Sequence, residues 1–162
     1  MYNHAPEDYR CPFCLLARRE ENAADYSRLS DVVYQDEWVA AFVASHQYAR
    51  NEPNILVIPN AHYENIFDLP PALGAAIYRV ARRIAFALKR AYACDGISTR
   101  QHNEPGGSQD VWHFHLHVTP RFANDWFYQD IYDKRLMPPH ARAAHAARVR
   151  AHWHIESEEE LA

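Results

Sequence analysis

A chain of 162 residues fits one domain with room for a buried core, and its 48% hydrophobic and 13% aromatic content is that of a globular protein rather than a disordered one. The formal net charge of -4 argues against nucleic acid as a bulk electrostatic partner while leaving nucleotides open. No apolar run approaches the roughly 18 residues of a membrane helix. The start, with Glu7 and Asp8 close to Met1, has neither the basic leader nor the apolar stretch of a signal peptide, so a cytoplasmic protein is expected.

Residues 1 to 10 are polar, and Cys11-Pro12-Phe13-Cys14 follows. A CxxC spacing lets two thiolates reach one tetrahedral ion from a single turn. A redox role would need a strand before it, which the polar leader does not supply. Two unlinked thiols remain the plain alternative. Leu15 to Ser30 reads as a short helix or loop. Asp31 to Tyr34 and Glu37 to Val43 read as strands joined by a tight turn at Gln35-Asp36. Ser45 to Pro53 is a polar loop. Ile55 to Ile58 is a continuous apolar run ending at Pro59, the pattern of a buried strand. His62 follows it, as a ligand or as a surface histidine.

Asp68-Leu69-Pro70-Pro71 is a helix entry. Leu73, Ile77, Val80, Ile84 and Leu88 then recur three or four residues apart and make one apolar stripe. Arg79, Arg82, Arg83, Lys89 and Arg90 fall mostly off it and read as a solvated face. The helix should end near Cys94-Asp95-Gly96, with the glycine supplying the terminating conformation and Cys94 buried. Ile97 to His102 reads as a strand. Asn103 to Asp110 is a polar loop whose paired Gly106 and Gly107 would let backbone N–H groups approach an anion.

That loop enters the most informative stretch, Val111 to Arg121. In an extended strand alternate side chains share a face. His113, His115 and His117 would then line one face, with Phe114, Leu116 and Val118 in the core and Pro120 ending the strand. Three imidazoles on one face suit an open metal site or a nucleophile with helpers. In a chain with 11 histidines they are also open to a chance reading. After Arg121 the chain is aromatic and irregular. Pro138-Pro139 opens a helix over His140 to Trp153, and the acidic Glu156 to Glu160 should be solvated.

At this point the chain resembles the histidine-triad (HIT) superfamily of nucleotide hydrolases and transferases. The family signature is three histidines alternating with apolar residues, here His113-Phe114-His115-Leu116-His117-Val118-Thr119. Cys11 to Cys14 is similar to the family's N-terminal CxxC, Ile55 to His62 to its LVIPxxH segment, and Asn103 to Asp110 to the loop before the triad. The resemblance implies an α+β, HIT-like fold: about five mostly antiparallel strands on one long helix, with a C-terminal helical extension. Residues 1–125 would be the HIT domain, and 126–162 an extension and acidic tail of the same domain. A homodimer is expected, without nucleic acid or membrane.

The resemblance also assigns roles. His115 would attack the α-phosphate of a nucleoside phosphoramidate or (di)nucleoside polyphosphate and carry a covalent phosphohistidine. His117 would manage the transferring phosphate or the leaving group. Asn103, Gln109 and Asp110 would lie at the substrate. Cys11, Cys14, His62 and His113 would hold one structural zinc, and no organic cofactor is implied. A nucleotidyltransferase or phosphorylase using the same intermediate is the alternative, as is a nucleotide-binding regulatory protein. The chain departs from the family at Asn54, often histidine, at Ala44, near an aspartate that contacts ribose, and at Asp110, which replaces a serine. A carboxylate at position 110 would favour a cationic amine leaving group.

Overall fold

The computed structural model describes residues 2–21, 26–129 and 133–153; His154 and the acidic stretch 156–160 lie outside them. The elements in chain order are α1 (Pro12–Ala17), β1 (Val32–Gln35), β2 (Val39–Val43), β3 (His46–Tyr48), β4 (Ile55–Pro59), α2 (Pro71–Tyr92), β5 (Gly96–Gln101), β6 (Leu116–Arg121), β7 (Lys134–Leu136) and α3 (Pro139–Ala151). Five strands form one sheet in the order β1-β2-β4-β6-β5, and all its pairs are antiparallel. This is the α+β architecture expected. Among the described residues no helix is long and apolar enough to cross a membrane.

Both faces of the central strands are covered, which is why Ile55 to Ile58 reads as an unbroken apolar run. On one face Ile77, Val80, Ile84 and Leu88 of α2 pack on Val39, Ala41, Val43, Ile55 and Val57. Phe114, Leu116 and Val118 join that layer, and α3 adds Ala146 and Val149. On the other face Phe13 and Leu16 of α1 pack on Ala40, Phe42, Leu56 and Ile58. The three histidines belong to this second side. Removing the Leu116 side chain, which is 1% exposed, would cost about 2–5 kcal/mol through lost burial and the cavity left behind.

Several boundaries differ from expectation for local reasons. The first turn is Asp36 to Trp38, because Asp36 Oδ1 accepts the N–H groups of both Trp38 and Val39 at 2.8 Å. The polar stretch 45 to 53 contains β3, which pairs with β7 in a separate two-stranded sheet. Ala93, not Gly96, takes the left-handed conformation after α2, at φ 50°, with its N–H on Lys89 O. Gly96 already opens β5.

The histidine strand is shorter than its alternation suggests. β6 begins at Leu116. Before it, His113 N–H turns back to Val111 O at 2.8 Å and Phe114 N–H reaches Tyr63 O at 2.6 Å. The alternation of faces persists through this irregular stretch. Pro120 does not end β6, which runs to Arg121 paired with β5. Its nitrogen and carbonyl share the edge beyond the end of the β4 pairing, where Asn51 Nδ2 supplies the donor to Pro120 O at 3.0 Å.

Candidate active site

His115 is 2% exposed, and the hydrogen-bond pattern assigns its tautomer. Nδ1–H donates to the His113 carbonyl at 2.8 Å, which leaves the Nε2 lone pair facing the cavity. Burial disfavours the imidazolium and pushes the pKa of His115 below the ordinary value. The ring of Phe13 stands edge-on to it at 5.5 Å, so α1 fixes its other side.

His117 lies beside it, with ring centroids 5.1 Å apart. Its Nδ1 accepts from Asn54 Nδ2 at 3.1 Å, and Asn54 Oδ1 accepts from Thr119 Oγ1 at 3.0 Å. That chain leaves the proton of neutral His117 on Nε2. Its pKa is held well below the ordinary value, first by burial, then by the positive charge His115 would carry and by Lys134 and Arg100. The site thus pairs one unprotonated imidazole nitrogen with one N–H donor.

The two histidines form part of a cavity of about 390 Å³ that Asn54, Leu56, Phe13, Tyr9 and Arg10 help to line. Tyr26, Ser27, Ala44, Ser45 and His46 form a further part of the wall. Asp110 and Lys134 complete it. Asp110 Oδ1 lies 3.8 Å from His115 Nε2, and Asp110 Oδ2 lies 3.6 Å from Lys134 Nζ. Lys134 had no signal in the sequence. It arrives on a three-residue, exposed strand that pairs with β3.

Asn103 and Gln109 do not line this cavity. Gln109 is 6% exposed; its Oε1 accepts Glu104 N–H at 2.8 Å, and its Nε2 donates to Glu64 O at 2.6 Å and Val111 O at 3.0 Å. Asn103 is bound to Gln101 and to Ile66 N–H. In this structure both amides shape the loop that delivers the histidines. Gly106 and Gly107 also stand off the cavity, and the positive φ angles of the loop belong to Glu104 and Ser108.

Cys11, Cys14, His62 and His113 converge although 102 positions separate the ends of the set. One ligand atom from each lies within 4.8 Å of all the others. His113 Nδ1 is 3.3 Å from Cys11 Sγ and 3.5 Å from Cys14 Sγ, and His62 Nδ1 is 3.2 Å from Cys14 Sγ. His113 Nε2 donates to Pro59 O at 2.9 Å, which turns the Nδ1 lone pair toward the thiols. The hydrogen bond with Cys11 lowers the Cys14 thiol to about 7, while that bond and burial push Cys11 up to about 11. Two sulfurs and two imidazole nitrogens at this spacing fit a closed tetrahedral zinc site, with no position left for water.

The family pattern described as HIT domain matches residues 27–124. Protein hit of Bacillus subtilis is 32% identical over 113 residues, 70% of this chain and 72% of that one. The Hit-like protein involved in cell-cycle regulation from Bartonella henselae superposes with a TM-score of 0.71 at 27% identity, covering 91% of this chain and 99% of that one. A Zn-bound histidine triad family protein from Mycobacterium smegmatis gives 0.69 at 26% identity, covering 88% and 92%. With the family pattern matched over 27–124, a relative 32% identical over most of its length and a fold that superposes on solved members, the chain belongs to the HIT domain family.

Proposed function

We propose that this protein hydrolyses a nucleotide at its α-phosphate through a covalent phosphohistidine on His115. The observation that carries this reading is the His115 Nδ1–H bond to the His113 carbonyl, which leaves Nε2 as a neutral nucleophile at the cavity. The Nε2 lone pair forms the bond to phosphorus as the bond to the leaving group breaks. The leaving group departs with the electron pair of that bond, its developing negative charge met by a hydrogen bond from the Nε2–H of His117, and takes its proton from solvent. Water then attacks phosphorus, the N–P bond breaks, the proton lost by the water passes to solvent, and the nucleoside monophosphate leaves with His115 restored. Neutral imidazole suits this role near pH 7 because its unperturbed pKa is about 6.5. Support for a hydrolase also comes from a relative in Arabidopsis thaliana named adenylylsulfatase, 24% identical over 115 residues and 54% of its length.

Zinc on Cys11, Cys14, His62 and His113 is part of the proposal. It would act structurally, holding α1 against the residue whose carbonyl orients His115. The test is a panel of adenosine and guanosine phosphoramidates and polyphosphates with the wild type and His115→Ala. Turnover and an acid-labile labelled protein are expected only with His115. A wild type that turns over none of them and traps no label would overturn the reading in favour of a binding protein.

A further inference from the structure

We propose that Asp110 is an internal stand-in for the substrate phosphate, and that Lys134 is the phosphate ligand it occupies until substrate arrives. The inference rests on the nucleotide reading above and adds a binding residue to it. The carboxylate of Asp110 lies between the attacking nitrogen and a cation: Oδ1 is 3.8 Å from His115 Nε2, and Oδ2 is 3.6 Å from Lys134 Nζ. A carboxylate carries two oxygens on one central atom, as a phosphoryl group carries its non-bridging oxygens. A phosphoryl group attacked by His115 Nε2 must therefore take the place where Asp110 now sits. It would present an oxygen to the ammonium of Lys134.

The exchange is physically inexpensive. The Asp110 side chain is 65% exposed, so it can swing into water and be resolvated there. Lys134 is better held. Its side chain is 35% exposed, its strand partner is Tyr48, and its Nζ lies 5.9 Å from the Tyr48 ring. Tyr48 is itself 2% exposed and takes a hydrogen bond from Arg100 through its hydroxyl at 2.5 Å. The cation is thus fixed at the cavity while the anion opposite it is loose, the arrangement of a site that trades a weak internal anion for a phosphate.

The pair also revises the reading of Asp110 as a selector for cationic leaving groups. With Lys134 beside it, the carboxylate has its own counter-ion, and a phosphate competes with it for that cation. Lys134 lies outside the residues that match the family, 27–124, so this chain supplies the cation from its own C-terminal part.

The probe is adenosine monophosphate, which needs no turnover to be measured. Binding to the full chain is followed by calorimetry for the wild type, Asp110→Asn, Lys134→Met and Lys134→Arg. Asp110→Asn removes the competing charge and should tighten the nucleotide about fivefold. Lys134→Met should weaken it by about the same factor, with Lys134→Arg restoring most of the loss. The Lys134→Met loss should be larger when measured in the Asp110→Asn background, where the ammonium has no other partner. Binding that Asp110→Asn leaves unchanged or weakens would overturn the exchange while leaving the nucleotide site standing. A wild type that does not bind the nucleotide at all would overturn the nucleotide reading itself, and the exchange with it.

Discussion

His113 faces two ways: its carbonyl accepts the Nδ1 proton of His115 at 2.8 Å, and its own Nδ1 lies 3.3 Å from Cys11 Sγ. One residue therefore joins the cysteine cluster to the nitrogen that faces the cavity. Adjacent histidines of an alternating pattern do unlike work because the backbone between them is not yet strand, and its carbonyl is free to turn toward a ring.

Cys14→Ser should consequently lower both metal content and turnover. Losing a thiolate from a four-ligand site removes zinc retention, and His113 then loses the constraint that aims its carbonyl. A reduction in metal affinity of more than about 100-fold is expected, beyond the scale of lost orienting contacts at metal sites. Metal analysis of the purified protein and turnover with added zinc would check it. Full activity in metal-free protein would show that the clamp does not orient His115.

Asn54 should set the protonation of His117. Its Nδ2 donates to His117 Nδ1, and Thr119 holds its Oδ1. In Asn54→Asp the side chain can only accept, so His117 must place a proton on Nδ1 and lose its neutral Nε2–H form. A fall in kcat of about a hundredfold with little change in KM is expected, the scale of a lost hydrogen-bond donor to the developing charge. Nitrogen chemical shifts of His117 would report the tautomer directly. An unchanged tautomer with reduced activity would point to a packing effect instead.

The depressed pKa of His117 has a measurable acid-side consequence. The unfolded chain binds a proton near the ordinary imidazole value of about 6.5, while the folded chain resists it. His145, lowered by burial and by Arg148, behaves the same way. Stability contributed by these groups is therefore full above about pH 6.5 and declines as the pH falls toward their folded values, by up to about 1.4 kcal/mol per pH unit for each. Urea midpoints at pH 7 and pH 5.5 should show the loss. Replacing His145 by Gln should make that decline shallower.

Much of this was legible in the residues, for identifiable reasons. The Ile55 to Ile58 run and the α2 stripe have the periods of a covered strand and a one-sided helix, and both packed accordingly. The cysteine cluster was harder. His62 alone could not be told from a surface histidine. It meets His113 because β4 and β6 are neighbours, with Leu56 opposite His117, so the end of one strand lies beside the approach to the other. Lys134 and the β3–β7 pair left no trace, since three exposed residues have no period to detect. Asn103 and Gln109 carry the right chemistry for phosphate, but the Gln101 side chain and Ile66 N–H take the Asn103 amide, and Glu64 O, Glu104 N–H and Val111 O take that of Gln109.

One part of the cavity wall is tied to an ion pair between α3 and the residue before β1. Arg142 on α3 donates through Nε to Asp31 Oδ2 at 2.9 Å, and their side chains are 2% and 0% exposed. The same guanidinium donates to Tyr26 O at 2.6 Å and to Met137 O at 2.5 Å, and Tyr26 lines the cavity. Burial pushes the Asp31 carboxyl up even with Arg142 beside it, so its charge is already expensive to hold. Arg142→Met leaves that carboxylate buried without its partner and should cost about 3–5 kcal/mol in urea unfolding. Replacing both residues, as Asp31→Leu with Arg142→Met, should recover much of that loss because no charge then stays buried alone. The nucleotide should bind more weakly in the double variant than in the wild type, since Tyr26 O has still lost its donor. A double variant with restored stability and unchanged binding would show that α3 supports the fold without holding the cavity wall.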